Sequence, residues 1–207
     1  MAGKIIVFEG PEGCGKTTQA KKALEFIRKK TKKAVLLREP GGVEISEKIR
    51  DIILDVKNSR MSPKTELFLY EAARSQVVAE KILPYIKKGF IVLLDRYYLA
   101  TTVYQGYGRG MDRQFIAAMN FFATEGARPS LTIVYDVSYR EARKRMAGRR
   151  KRDRIEREKR SFHERVRAGY LKEAKSFGRV LIKTDGKSAK EVFEATKSIL
   201  VKEMKWQ

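Results

Sequence analysis

The chain has 207 residues, with 46 Lys and Arg against 25 Asp and Glu, a formal net charge of +21, and a hydrophobic fraction of 43%. That length suits one domain with one sizeable core, and the apolar content excludes a disordered polymer. No run approaches the roughly 20 apolar residues of a membrane helix; a lone Cys14 and a lone His163 exclude an internal disulfide, a cysteine cluster and a multi-histidine metal site. The basic excess favours polyanionic partners (nucleic acid, acidic lipid or nucleotide polyphosphate) without choosing among them.

Apolar β-rich runs alternate with helical patterns along the chain. Ile5–Phe8 reads as a first strand rather than a signal peptide. Thr17–Lys30 is a helix with Ala20, Leu24 and Ile27 on one face, and 34–37 is a second strand, stopped at Glu39-Pro40-Gly41-Gly42. A helix from Ser46, its expected cap, runs to about Val56. A long helix spans Lys64–Tyr85 and breaks near Pro84. The run 89–95 is continuously apolar before its aspartate, as a strand buried on both faces should be. A helix over 112–124, a strand over 131–136, a very basic helical stretch in which His163 reads as a solvated residue, a strand over 179–182 and a helix from Ala189 complete the chain. Strands separated by helices predict a parallel sheet covered on both faces. With no repeat, linker or composition break, residues 1–207 read as a single α/β domain.

The strongest motif is Gly10-Pro11-Glu12-Gly13-Cys14-Gly15-Lys16-Thr17, which fits G-x-x-x-x-G-K-[ST] between a strand and a helix. Glycines let backbone N–H groups converge on phosphate oxygens, and the helix N-terminus adds positive potential. Lys16 supplies a point charge to the β/γ-phosphates, Thr17 a hydroxyl to Mg²⁺, and Thr18 continues the site; Cys14 reads as a small filler rather than a nucleophile. Asp95, closing an apolar strand, is the expected partner for magnesium water or a nearby arginine. The loop alone does not distinguish hydrolytic motors, switches and small-molecule kinases.

Other residues narrow the choice. Tyr70 and Arg74 are four apart and share a helix face; an aromatic ring can stack on a base while a guanidinium donates to a pyrimidine carbonyl. In isolation a core tyrosine and a surface ion pair is the plainer reading. Arg96 follows Asp95 directly, which brings a fixed guanidinium near a transferred phosphoryl group, and Arg38 is a natural partner for an acceptor phosphate. Glu12 makes sense in a phosphate loop if it positions that phosphate through an arginine or magnesium.

Arg38-Glu39-Pro40-Gly41-Gly42, Tyr70…Arg74, Asp95-Arg96-Tyr97, Tyr104-Gln105-Gly106, Arg128-Pro129 and Asp153-Arg154-Ile155-Glu156, in this order and spacing, resemble the thymidylate kinase family over nearly the whole chain. The resemblance implies a P-loop NTPase-type three-layer α/β/α fold with a central parallel sheet and a basic lid near 147–160. It also implies phosphoryl transfer from ATP·Mg to dTMP in a cytoplasmic homodimer. It assigns Tyr70, Arg74, Thr101 and Gln105 to the thymine pocket, Tyr104 to the sugar 2′ position and Arg145 to the adenine. The Glu39–Pro40 bond, as an X-Pro bond, is one that can be cis, which sequence alone does not show. Residues 140–167 hold 14 Lys and Arg against 5 Asp and Glu. The phosphate loop lacks an arginine, so a bacterial-like style with catalytic lid arginines is implied, Arg149, Arg150 and Arg154 being the clamps. Ala100 and Ser130 depart from the family's frequent serine and aspartate. A kinase for another pyrimidine monophosphate, or a nucleic-acid-stimulated ATPase, are the alternatives.

Overall fold

The structure, a computed structural model, describes residues 3–148, 152–176 and 178–206. Five strands, β1 (Lys4–Glu9), β2 (Ala34–Arg38), β3 (Ile91–Asp95), β4 (Leu131–Asp136) and β5 (Arg179–Lys183), form one parallel sheet in the order β2-β3-β1-β4-β5. The helices are α1 (Lys16–Arg28), α2 (Glu44–Leu54), α3 (Pro63–Val77), α4 (Leu83–Lys87), α5 (Tyr98–Thr101), α6 (Arg113–Ala123), α7 (Tyr139–Met146), α8 (Arg160–Glu173) and α9 (Ala189–Met204).

Strand alternation sends side chains to both faces. Ile6, Phe8, Leu93, Ile133 and Tyr135 meet Ala20, Ala23 and Ile27 of α1 and Val192 and Leu200 of α9. Ile5, Val7, Val92 and Leu94 meet Val77, Val78 and Ile82 on the other face. Phe162, Val166 and Tyr170 of α8 close a third cluster over Val103, Tyr104 and Val134. The three-layer α/β/α architecture is therefore as expected from sequence. No helix among the described residues is long and apolar enough to cross a membrane.

Two local readings are corrected and one segment is added. The α2 helix begins at Glu44 with Val43 as N-cap; Ser46 is buried and its hydroxyl donates to the Ala73 carbonyl at 2.7 Å, joining α2 to α3. The long third helix loses its α-helical ladder before Pro84: a π-helical turn, Val78–Ile82, precedes α4. Pro84 has no amide hydrogen and crowds the carbonyl four residues back, so the ladder widens upstream of it. Residues Thr102–Gly108, read from sequence only as a motif, form a second π-helical segment continuing α5. Its wider turn brings Thr101, Tyr104 and Gln105 to one cavity.

All strands point the same way, so Glu9, Arg38, Asp95 and Asp136 end at one carboxyl edge. Ligands of open parallel sheets bind along that edge.

Candidate active site

The loop Gly10–Gly15 leaves β1 and enters α1 with Gly15 as N-cap in a left-handed conformation (φ 91°). A Cβ at Gly10 would lie 2.3 Å from the Tyr135 carbonyl oxygen, so only glycine lets the loop cross β4 this closely. The first turn of α1 carries no acidic side chain, so its free N–H groups and dipole face an anion uncompensated. Lys16 curls over the loop, Nζ donating to the Pro11 carbonyl at 3.3 Å. Burial pushes the Cys14 thiol up, which keeps it protonated and inert, in accord with its filler role.

Thr17 Oγ1 donates to Asp95 Oδ2 at 2.5 Å. A hydroxyl and a carboxylate side by side are the oxygen donors a hard cation takes. Mg²⁺ needs only one or two protein ligands when phosphates and waters supply the rest. Thr17 and Asp95 therefore fit such an ion. Glu12 is engaged on the other side of the loop: both its oxygens lie 2.6 Å from the Tyr104 hydroxyl, and Oε1 accepts from Arg96 Nη2 at 2.8 Å. Burial pushes the Glu12 carboxyl up, but Arg96, Lys16 and Tyr104 outweigh it and hold it below the ordinary carboxylate range.

Arg96 is the hub. Its backbone is left-handed (φ 71°), a conformation non-glycine residues seldom adopt. It turns the side chain into the cleft, where Nη1 donates to the Tyr170 hydroxyl (3.0 Å), and Nη2 to Glu12 and the Tyr104 hydroxyl (3.0 Å). Tyr170 in turn donates to Glu9 Oε2 at 2.8 Å, and Glu9 Oε1 accepts the Tyr97 and Ala100 amides. Two carboxylates and two phenols thus fix one guanidinium at the strand edge.

A cavity of about 540 Å³ joins this loop to the residues singled out beyond it. Glu12, Gly13, Cys14, Gly15, Lys16, Thr17, Thr18 and Arg145 line its phosphate-loop side; Arg38, Pro40, Tyr70, Arg74, Arg96, Thr101, Tyr104 and Gln105 line the rest, with Asp95 between. Gly10 and Pro11 shape the loop without lining this cavity. The Glu39–Pro40 peptide is cis.

Arg74 is not a surface ion pair. It is 2% exposed and donates to Glu39 (2.8 Å), Glu71 (2.9 Å), Asn120 (2.9 Å) and Thr101 (2.9 Å). Burial pushes Glu39 up to about 7 against the opposing charge of Arg74, while Glu71 and Glu39 hold Arg74 in its charged form. Arg145 donates to Glu141, to Gly13 O and to the hydroxyl and carbonyl of Thr184, a guanidinium plane tying the phosphate loop to the turn after β5.

Position corrects one reading from sequence and shows a second residue held away from the cavity. His163 is not solvated: its side chain is 12% exposed, packs by its ring on Tyr139 and Phe162, and Nδ1 lies 3.9 Å from Glu12 Oε2. Arg154 does not line the cavity in this arrangement; it is 8% exposed and held by Glu66 at 2.6 Å. Arg149 and Arg150 lie outside the described residues. Sequence reasoning missed Arg50, half-buried on α2, which lines the cavity and donates to the Pro40 carbonyl at 2.8 Å. It also missed Asn120 and Lys187. None belongs to a contiguous motif; each enters through tertiary packing.

A phosphate-binding loop at the edge of a five-stranded parallel sheet, facing a second pocket of cations and a tyrosine across one cavity, defines a P-loop phosphotransferase. Residues 8–196 match the family model described as thymidylate kinase. A thymidylate kinase from Thermoanaerobacter sp. (strain X514) is 46% identical over 205 residues, covering 97% of this chain and all of that protein. One from Geobacter sulfurreducens is 49% identical over 175 residues, 82% of each chain. The crystal structure of thymidylate kinase from Ehrlichia chaffeensis superimposes with a TM-score of 0.79 at 28% identity, covering 97% of this chain and 99% of that one. The chain belongs to the thymidylate kinase family.

Proposed function

We propose that this cleft transfers the γ-phosphoryl group of ATP to dTMP, giving ADP and dTDP, with the residue roles that follow. The observation that carries the reading is the sharing of one cavity by the phosphate loop and the Tyr70–Arg74 face of α3. The loop amides and Lys16 hold the donor phosphates, and the Arg145 plane offers a stacking surface for adenine. Thr17 and Asp95 would hold Mg²⁺, which when bound offsets phosphate charge. Tyr70 stacks on the thymine and Arg74 offers its remaining N–H to a ring carbonyl. Thr101 and Gln105 complete the base pocket, and the Tyr104 ring crowds the sugar 2′ position.

Arg38 and Arg50 converge on the acceptor phosphate. Arg38 is balanced by Glu47 at 2.7 Å, whereas burial and the neighbouring Arg38 lower the Arg50 pKa; an acceptor phosphate relieves that repulsion. Arg96, fixed by Glu12, Tyr104 and Tyr170, lies where charge spreads over the equatorial oxygens in the transition state. Preorganised cations act most there, because no reorganisation is needed. The acceptor phosphate is itself the nucleophile, so the protein aligns two anions and excludes water. Arg149 and Arg150 are the candidates for a second cation from the connection between α7 and α8.

A homodimer in the cytoplasm fits this reading. Phe68 of α3, Phe115, Phe121 and Phe122 of α6, and Ile45 and Ile52 of α2 are 47–85% exposed, an apolar set that a second copy would cover. Light scattering after gel filtration, at twice the chain mass, tests it. The test of function is ADP release against a panel of nucleoside monophosphates. Highest kcat/KM for dTMP supports the reading; a preference for dCMP, or stimulation by DNA alone, overturns it.

A further inference from the structure

One turn before Tyr70 on α3 lies a carboxylate that the roles above leave unused. Glu66 is 1% exposed, and so deeply buried an anion is stable only when compensated. Its partners come from two separate elements. Just before and after the end of the second π-helical segment, Gln105 Nε2 donates to Oε1 at 2.8 Å, while Arg109 donates through Nε to Oε1 (3.1 Å) and through Nη2 to Oε2 (2.9 Å). From the connection before α8, Arg154 Nη2 lies 2.6 Å from Oε2. Arg154 is also tied to the end of α2, Nε donating to Ile53 O at 2.8 Å and its amide to Leu54 O at 3.1 Å. Arg109 Nη1 reaches on to Glu158 at 2.6 Å. Burial pushes the Glu66 carboxyl up, but Arg109, Gln105 and Arg154 outweigh it and keep it below the ordinary range.

A carboxylate has no proton to give, so Gln105 must turn its NH₂ toward Glu66. That leaves Gln105 Oε1, an acceptor, for the cavity that Gln105 lines. An acceptor suits a base with a ring N–H, such as thymine, over cytosine, whose ring nitrogen is itself an acceptor. Asp153, Ile155 and Glu156, which line the same cavity, flank the anchored Arg154. We infer that Glu66 is a positioning residue for the acceptor nucleotide, a joint that orients the Gln105 amide and anchors the Asp153–Glu156 wall through Arg154. The inference rests on the acceptor assignment above, and it gives Arg154 a task other than phosphate clamp.

The test is calorimetric titration of dTMP without ATP, so that turnover and donor contacts do not enter. Arg154→Met removes one link and leaves Glu66 balanced by Arg109. The dTMP Kd should rise about fivefold, and the rise should be smaller in a Gln105→Met background, where only the wall anchored by Arg154 is left to lose, as expected for residues that share part of one network. Glu66→Gln should bind dTMP more weakly still and lower the dTMP-over-dCMP preference, which a merely structural role would not move. If Arg154→Met fails to fold, Arg154→Lys, which keeps the charge and loses the planar fork, should give a smaller rise with the same dependence on Gln105. A parent-like Kd, or equal losses in both backgrounds, overturns the inference. A parent chain that binds no dTMP overturns the acceptor assignment itself.

Discussion

The two ends of the cleft are made of different material. The phosphate-loop end is backbone: eight consecutive residues, Gly10–Thr17, hold their shape through glycine conformations and a helix N-terminus, with Lys16 bonded five residues away. The Arg74 end is side chain: Arg74 is fixed by Glu39, Thr101 and Asn120, which lie 35, 27 and 46 positions away. A backbone cradle tolerates change in its non-glycine side chains, whereas a buried ionic network does not. Removing one charge strands the others in a low-dielectric interior.

Lys16→Ala should show the largest effect on activity and among the smallest on stability. Turnover should fall by about 10²–10³-fold, the scale of losing one preorganised charge-stabilising group, while the urea midpoint stays near that of the parent. Arg74→Ala should show the opposite balance. It leaves Glu39 and Glu71 buried and uncompensated, at about 3–5 kcal/mol, measurable by urea unfolding. Equal stability losses in the two variants would erase the distinction between the two ends.

The pH dependence sharpens it further. Burial raises Glu39 to about 7, so the folded chain holds this proton more tightly than the unfolded chain. Stability from this group is therefore full below the ordinary carboxylate pKa, declines as pH rises toward 7, and is level above. Glu39→Gln should remove that component of the Tm-against-pH curve between about pH 5 and 7; an unchanged curve would mean that Glu39 is ionised throughout. The smallest effect concerns the sugar. Tyr104→Ala should raise ribo-TMP use relative to dTMP by a few-fold, about 1 kcal/mol, whereas Tyr104→Phe should keep the ratio because the ring remains. A parent-like ratio in Tyr104→Ala would remove Tyr104 from sugar discrimination.

The same contrast explains what was legible in the sequence. The strands, their parallel arrangement and the phosphate loop follow from contiguous patterns, because periodicity and glycine spacing are local. Tyr70 and Arg74 were legible as a shared helix face, but the burial of Arg74 was not, since its carboxylate Glu39 lies on another element. Ser46 precedes an apolar run and so imitates a cap, yet its hydroxyl is spent on Ala73. His163 looks solvated by the pattern of α8 alone; its neighbour Glu12 is in the phosphate loop. Arg154 sits in a basic run that suggests a clamp, yet its holders, Glu66 on α3 and the Ile53 and Leu54 carbonyls of α2, lie about 90–100 positions away in sequence. The π-helical segments carry no sequence signature beyond Pro84 for the first.

The account turns on the two ends of the cleft being separable, and titration of dTMP into Lys16→Ala tests that most directly. The predicted result is a dTMP Kd within about twofold of the parent, below the ~1.4 kcal/mol that a tenfold change represents, in a variant that has lost nearly all turnover. A loss of dTMP affinity matching the loss of activity would contradict it, and would place Lys16 in the acceptor site rather than on the donor phosphates.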